Sequence, residues 1–456
     1  MTLKNWAQNV SFTFGECQRP LRVEQVQDIV RGAAEAQCRV RVKGTGHSFN
    51  RIADPGSAAD TLISLENLRN VISVDEKTRT AVVEAGITYG ELCPVLHERG
   101  LAVHNLASLP HVTVAGAVAT GTHGSGLKNK NLGDSVVGID IVDKSGALVS
   151  LKRGDVDFLG AVCSAGSLGV VVRLTLQLIP AFRICQTVYD AVSLEEVSAS
   201  QERFEEVFGL AYSVSIFTRW EGSRNGNKET MLWLKEKAGE TRKMVPGYLH
   251  ASGARPASGK RHPIISIDPA PCTEQMGIPG PWHERLCHFK YDQTPSVGDE
   301  LQSEFFVPLH CGAEAIRAIL ALGPMFEGVL ATTELRVVAA DDLWLSPCCK
   351  RQSLGMHFTW RAGMFEAVWH CAHSIESILA PFGYRPHLGK VFTCDAETAA
   401  TAYRDCGLDK FIALQKKMGG EIFLNDFVHA YVMGNSRSVL QRKALQGGRN
   451  LPASKL

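Results

Sequence analysis

The glycines of this chain gather in three places, and their positions constrain the fold more than any other feature. The strand-like run VRVK, residues 40–43, ends in Gly44 and Gly46 within VRVKGTGHSFN. The segment SLPHVTVAGAVATGTHGSG, residues 108–126, is the most glycine-dense part of the chain, and Gly166 and Gly169 follow further on. Backbone without a Cβ approaches a phosphate closely and aims its N–H groups at it. Three such segments suit one extended dinucleotide better than a single small anion. The same glycines also suit tight β turns, and spacing alone leaves both readings open. A nicotinamide Rossmann turn is disfavoured. Its third glycine is replaced by His47-Ser48-Phe49, and the residues after Asn50 do not read as a helix.

Around these loops the chain reads as α+β. Val23, Val26, Ile29, Val30 and Ala33 recur at helical spacing, and the alternating CRVRV follows. TLISL, NVISVD and TAVVEAG read as strands, and a helix is predicted over about 88–98, begun by Thr88. The strand pair VVGIDIVDKSGALVSL turns at Ser145-Gly146. MFEAVWHCAHSIESILAPF predicts a helix with Phe365, Val368, Trp369, Ala372, Ile375 and Leu379 on one face. The Gly/Pro/Ser-rich stretch 236–271 reads as a long surface loop. The expected boundaries are 1–181, 182–410, a C-terminal segment 411–434 that returns toward the first unit, and a tail, 435–456.

The chain has 456 residues, with 48 basic and 47 acidic side chains. That balance leaves no electrostatic footprint for nucleic acid or anionic lipid. No run approaches the roughly 18 apolar residues of a membrane helix. MTLKNWAQNV lacks the apolar core of a secretory signal, so synthesis and folding in the cytosol are expected. The thirteen cysteines show no CxxC and read as free thiols, mostly buried small hydrophobes. The basic tail ends in Ser454-Lys455-Leu456, the receptor-read peroxisomal address. The expectation is a peroxisomal matrix protein partnered by the import receptor, cytosolic where the signal is not read.

GTGHSFN, ASLPHVTVAGAVATGTHGSG, CTEQMGIPGPWHERL, TELRVVAADDLWLSP, HFTW and RPHLGKVFT together resemble the flavoenzyme family typified by vanillyl-alcohol oxidase. The likeness is to its sugar-oxidising branch, the bacterial alditol (xylitol) oxidases, and covers nearly the whole chain. It implies a two-subdomain FAD-binding domain of the PCMH type and a C-terminal α+β cap domain for the substrate. It also implies FAD bonded covalently through His47, chemistry that needs a neutral imidazole beside the ring. The other cofactor contacts it implies are Lys43, Gly44, Thr45, Gly46, Ser48, Phe49, Ser108, Thr113, Gly116, Thr120, Gly121, Thr122, His123 and Val171, with His387 from the second domain. The departures Leu388 and His104 are expected beside the site, where they would bear on chain length.

Alcohol oxidation by hydride transfer to flavin N5 leaves a developing alkoxide that needs nearby cations. TELR places Glu334 and Arg336 on one face of a strand, and the resemblance assigns Arg336 and Lys390 to the reacting oxygen. Glu334, Thr359 and Ser108 suit further hydroxyls. On residues alone, Glu334–Arg336 reads first as a surface ion pair, the usual fate of such pairs. His357 shares the face of Thr359, as a packing group or a proton shuttle. His370 and His373 have metal-ligand spacing but no third ligand, so no metal is expected. His283 and Glu284 read as structural, and no Ser–His–Asp triad with its nucleophile turn is present. The implied activity is that of a monomeric oxidase turning the terminal alcohol of xylitol or sorbitol into the aldose, with O2 reduced to H2O2. Alternatives are an aldonolactone oxidase acting on gulono- or galactono-1,4-lactone, a dehydrogenase using another electron carrier, and a flavin-binding module without turnover.

Overall fold

In the computed structural model, residues 3–222, 227–293 and 300–434 are described. The Ser454-Lys455-Leu456 address lies outside them. The helical valines behave as their spacing predicts. Val23, Val26, Val30 and Ala33 are the buried stripe of helix Val23–Glu35, which delivers the chain to strand Val40–Lys43. That strand lies parallel to Thr61–Ser64, which in turn pairs with Glu16–Gln18. Thr88 caps helix Tyr89–Glu98 through a reciprocal pair with Glu91, so this start signal was legible.

The second sheet of the N-terminal half is antiparallel. Its order is Val71–Asp75, Thr80–Glu84, Val170–Gln177, Val136–Val142, Leu148–Lys152. Every second residue of Val170–Gln177 is buried, as one covered face requires. Ile179–Pro180 still pairs with Leu101–Ala102 of this half, while Arg183–Asp190 is already a strand of the next sheet.

That next sheet has nine strands. Its centre runs Arg183–Asp190, Met231–Lys237, Ser213–Thr218, Leu330–Val338, Ser353–Arg361, Glu300–Pro308, all antiparallel neighbours. Ile216, Leu335, Met356 and Phe305 lie in register on one face with no exposure. Helices Gln201–Phe208, Gly312–Leu320 and Phe365–Leu379 cover that face, the last burying Val368, Cys371, Ala372, Ile375 and Leu379. Covering one face with helices leaves the opposite face free to form a wall of a site.

The stretch 236–271 departs from the expected surface loop. It contains helix Gly247–Ala251 and strand Arg255–Pro256, which pairs with Tyr189 and Asp190. Its Gly/Pro/Ser content hides the anchors Leu249, Ala254 and Ala257, all buried. The chain then returns to its first half. Helix Leu408–Met418 packs on Phe158–Val162, and Asp426–Tyr431 packs on the turn Arg51–Ala53. All thirteen cysteines are free thiols and eight are buried, consistent with a packing role. No described helix is long and apolar enough to cross a membrane.

Arg41 ties the N-terminal half together. Its guanidinium donates to the carbonyls of Ile52 at 3.0 Å, Gly166 at 2.9 Å, Ala165 at 2.8 Å and Phe423 at 2.8 Å. Burial lowers its pKa to about 10, opposed by Asp54, so it stays charged at neutral pH. Arg41→Leu strands these buried acceptors. It should lower stability by roughly 3 kcal/mol or more in urea unfolding of the flavin-loaded protein.

Candidate active site

The loop after Lys43 is held by its own glycines. Gly46 adopts φ +79°, and its carbonyl accepts from the Trp6 N–H at 2.9 Å. That anchor stacks the Trp6 ring on His47, centroids 4.8 Å apart and planes 21° apart. His47 Nδ1 lies 3.0 Å from Thr45 Oγ1. Burial, reinforced by Lys390, His111 and Lys43, pushes the His47 pKa down to about 3. The imidazole is therefore neutral across the physiological range.

Thr113 joins this loop to the second glycine segment. A Cβ on Gly44 would stand 2.4 Å from Thr113 Oγ1, and one on Gly116 2.7 Å from the same atom. A side chain at Gly44 would crowd Thr113 where the two loops meet, and one at Gly116 would crowd the same hydroxyl from within its own segment. On its far side the first loop docks on the C-terminal half. The Phe49 N–H donates to Gly389 O at 2.8 Å, and Asn50 Nδ2 donates to Leu388 O at 2.7 Å and Lys390 O at 2.8 Å. Lys390 Nζ consequently sits 4.6 Å from the centroid of the Phe49 ring.

The free face of the nine-stranded sheet closes the site. Strand register aligns Glu304, His357 and Glu334 in one row and Gln302, Thr359 and Thr332 in the next. Period-two alternation puts both rows on the same face. Arg336 Nη2 donates to Glu304 Oε1 at 2.7 Å, and His123 Nε2 lies 3.1 Å from the same oxygen. Arg336 Nε is buried without a hydrogen-bond acceptor, 3.6 Å from Glu334 Oε2. Gln302 Oε1 accepts from Lys390 Nζ and lies 3.0 Å from His357 Nε2. Its Nε2 donates to Glu300 Oε1 at 2.5 Å.

Electrostatics sort these groups. Burial alone raises a carboxyl pKa, yet Arg336 and His288 hold Glu334 well below the usual carboxylate range. Against the same burial, His123 and Arg336 hold Glu304 down. His288 itself is pushed to about 4 by burial, so at neutral pH it serves Glu334 as a neutral hydrogen-bond donor, not as a cation. Burial takes His357 and His387 to about 3. It lowers Lys390 to about 8, with Arg336 pushing the same way and Glu304 and Glu300 opposing.

The glycine loops and this sheet face enclose a cavity of about 620 Å³, a size ordinary for a cofactor site. Every residue expected at the cofactor or substrate lines it except Gly121. Gly121 belongs to the same glycine run but serves a turn, with φ +70°, where a Cβ would meet Pro347 at 3.0 Å. His104 and Leu388 also lie outside the cavity wall. Tyr212 bonds His104 O, and His104 Nε2 lies 3.1 Å from Lys130 O. His370 and His373 are on the exposed side of their helix, and His283 stacks near His97 with centroids 5.0 Å apart. Glu304, Gln302 and His288 were missed. ELQSEFFVP carried a signal for the first two, because Glu300, Gln302 and Glu304 alternate with Leu301, Ser303 and Phe305. His288, in a connecting segment, carried none.

Residues 18–152 match the family model described as "FAD binding domain", and residues 299–431 match "D-arabinono-1,4-lactone oxidase". An alditol oxidase of Streptomyces sp. is 40% identical over 94% of this chain and 99% of its own. The chain belongs to the alditol oxidase family of FAD-linked oxidoreductases. An L-gulono-1,4-lactone dehydrogenase of Mycobacterium tuberculosis is 28% identical, covering 90% of this chain and 94% of that one. The fold is shared with a solvent-stable cholesterol oxidase, TM-score 0.74 over 94% of this chain and 97% of that chain at 15% identity. It is shared too with a carbohydrate oxidase of Microdochium nivale, TM-score 0.67 over 91% of each chain at 15% identity.

The cradle fits the FAD of this family. Gly44 and Gly116 leave backbone open on both sides of Thr113, His47 is neutral, and the Arg336 Nε donor awaits an acceptor. Gly44→Ala forces Thr113 aside. It should cut flavin content, measured by absorbance at 450 nm against 280 nm, by more than half, and Thr113→Ala in the same chain should restore part of it.

Proposed function

We propose that this protein is an FAD-dependent oxidase that converts the terminal primary alcohol of an alditol, such as xylitol or sorbitol, to the aldose and reduces O2 to H2O2. The observation that carries the reading is the convergence of the buried Glu334 and Arg336 and the half-buried Lys390 on one wall of the cofactor cavity. A bound FAD, held by the glycine loops around His47 and Thr113, would supply the hydride acceptor and the route of the electrons to O2. Arg336 and Lys390 hold the reacting oxygen: the fixed positive charge of Arg336 favours its deprotonation, and Lys390 becomes a second cation beside it only on taking the proton. Lys390, poised near 8, takes the hydroxyl proton in its neutral form. Glu334 accepts from a neighbouring hydroxyl, and Ser108 and Thr359 serve others. His47 is positioned as the covalent tether, since its imidazole is neutral and held in the loop by Trp6 and Thr45.

Comparison of kcat/KM for xylitol and sorbitol with that for gulono- and galactono-1,4-lactone, read as peroxide release, tests the reading. A polyol preference of tenfold or more is expected. A lactone preference overturns the substrate assignment in favour of the aldonolactone oxidase alternative. With Lys390 as base, kcat/KM rises with pH through about 8 and then levels. Lys390→Met should remove that rise and lower kcat by roughly 100-fold or more. After acid precipitation flavin should stay with the wild-type pellet, whereas His47→Ala should release it to the supernatant.

A further inference from the structure

Lys235 lies on strand Met231–Lys237 with 1% exposure, and no step so far uses it. A lysine is almost never fully buried without a partner. Its Nζ donates to Leu286 O, to Cys287 O at 3.2 Å and to His288 Nδ1 at 3.2 Å, three acceptors for three ammonium protons. An ammonium has no lone pair and only donates. His288 Nδ1 is therefore an acceptor, and the single proton of the neutral ring sits on Nε2. That nitrogen is 2.8 Å from Glu334 Oε1, which also accepts from Ser215 Oγ at 2.8 Å.

The ring cannot easily turn away. Phe217 and Trp233 each meet it edge to face at a centroid distance of 5.3 Å. Its backbone N–H donates to Ser108 O at 3.0 Å, linking it to the cofactor loop. With Oε1 of Glu334 engaged by two close donors, Oε2 meets only longer contacts, Ser108 Oγ at 3.5 Å and Arg336 Nε at 3.6 Å. Burial takes Lys235 to about 8 and His288 to about 4, so near pH 7 the lysine is mostly charged and the histidine neutral, as this arrangement requires.

We propose that Lys235 and His288 are positioning residues that set polyol specificity: Lys235 fixes the Nε2–H tautomer of His288, His288 and Ser215 occupy Glu334 Oε1, and Oε2 is reserved for the substrate hydroxyl next to the reacting carbon. The inference rests on the alditol reading of Glu334. Without Lys235 the ring is free to place its proton on Nδ1. It would then turn a lone pair on the carboxylate and displace it.

The test combines a ring measurement with kinetics on the flavin-loaded protein. In 15N-histidine-labelled enzyme, the resonance lost in His288→Gln reports the ring. Protonated Nε2 and bare Nδ1 are expected in the wild type, and a tautomer mixture in Lys235→Met. In Lys235→Met the KM for xylitol should rise about tenfold, the worth of one hydrogen bond to a charged group. The kcat should stay within about twofold, because ground-state and transition-state binding fall together. The KM for a 2,4-dideoxypentitol, which lacks the hydroxyl next to either terminal carbinol, should not move. In a His288→Gln background, where the amide donates whatever its neighbour, Lys235→Met should add little. A wild-type ring protonated on Nδ1, an equal KM change for both substrates, or no change for either overturns the proposal. Should Lys235→Met fail to fold, the wild-type tautomer and the two-substrate KM comparison in His288→Leu, which removes the donor to Glu334, decide it. Failure of the wild type to oxidise any alditol counts against the substrate reading, and the tautomer then decides the inference by itself.

Discussion

The carboxylate of Glu304, 2% exposed, accepts from Arg336, two strands away across Ser353–Arg361, and faces His123 of the cofactor half. The site depends on this contact. Arg336 is itself buried, and a guanidinium stripped of water without a partner costs several kcal/mol. An ion pair of this kind adds little to stability, because desolvation of two charges offsets most of their attraction. Its effect here is geometric. Glu304 draws Nη2 to one side and leaves Nε without a hydrogen-bond acceptor toward the cavity.

The same economy explains why the sheet has two unlike faces. Helices cover the apolar rows, so the polar rows have to find partners among themselves or in a ligand. Neighbouring strands place Glu304, His357 and Glu334 side by side, close enough for their charges to shift one another. The Phe49 N–H on Gly389 O and the Asn50 side-chain amide on Lys390 O bring Lys390 against the cofactor loop. Lys390 is consequently placed by the flavin half although it belongs to the substrate half. His288 links the halves in the opposite sense, its backbone on Ser108 and its ring on Glu334.

Much of this was legible because the physics leaves few alternatives. Gly44 lets the first loop approach Thr113, Gly116 leaves room for the same hydroxyl from within its own segment, and both are visible as a motif. Glu334 and Arg336 stood out as charges inside a strand-like run. Gly121 misled for the same reason, since a glycine needed for a turn looks like one needed for a ligand. Glu304 and Gln302 were overlooked because alternating polar residues ordinarily mean a solvent-facing strand, whereas here both faces are covered. Residues 236–271 looked like loop by composition, but Leu249 and its small neighbours anchor them. His288 and Lys235 meet only through the fold, from positions 53 residues apart.

The account stands on Glu304 as the anion that aims Arg336. Its most direct test is Glu304→Gln, followed by anaerobic reduction of the bound flavin by xylitol. The variant should keep its flavin, yet bleach at 450 nm roughly 100-fold more slowly than the wild type, because the guanidinium is no longer held for the transition state. Flavin reduction at the wild-type rate in Glu304→Gln would contradict it.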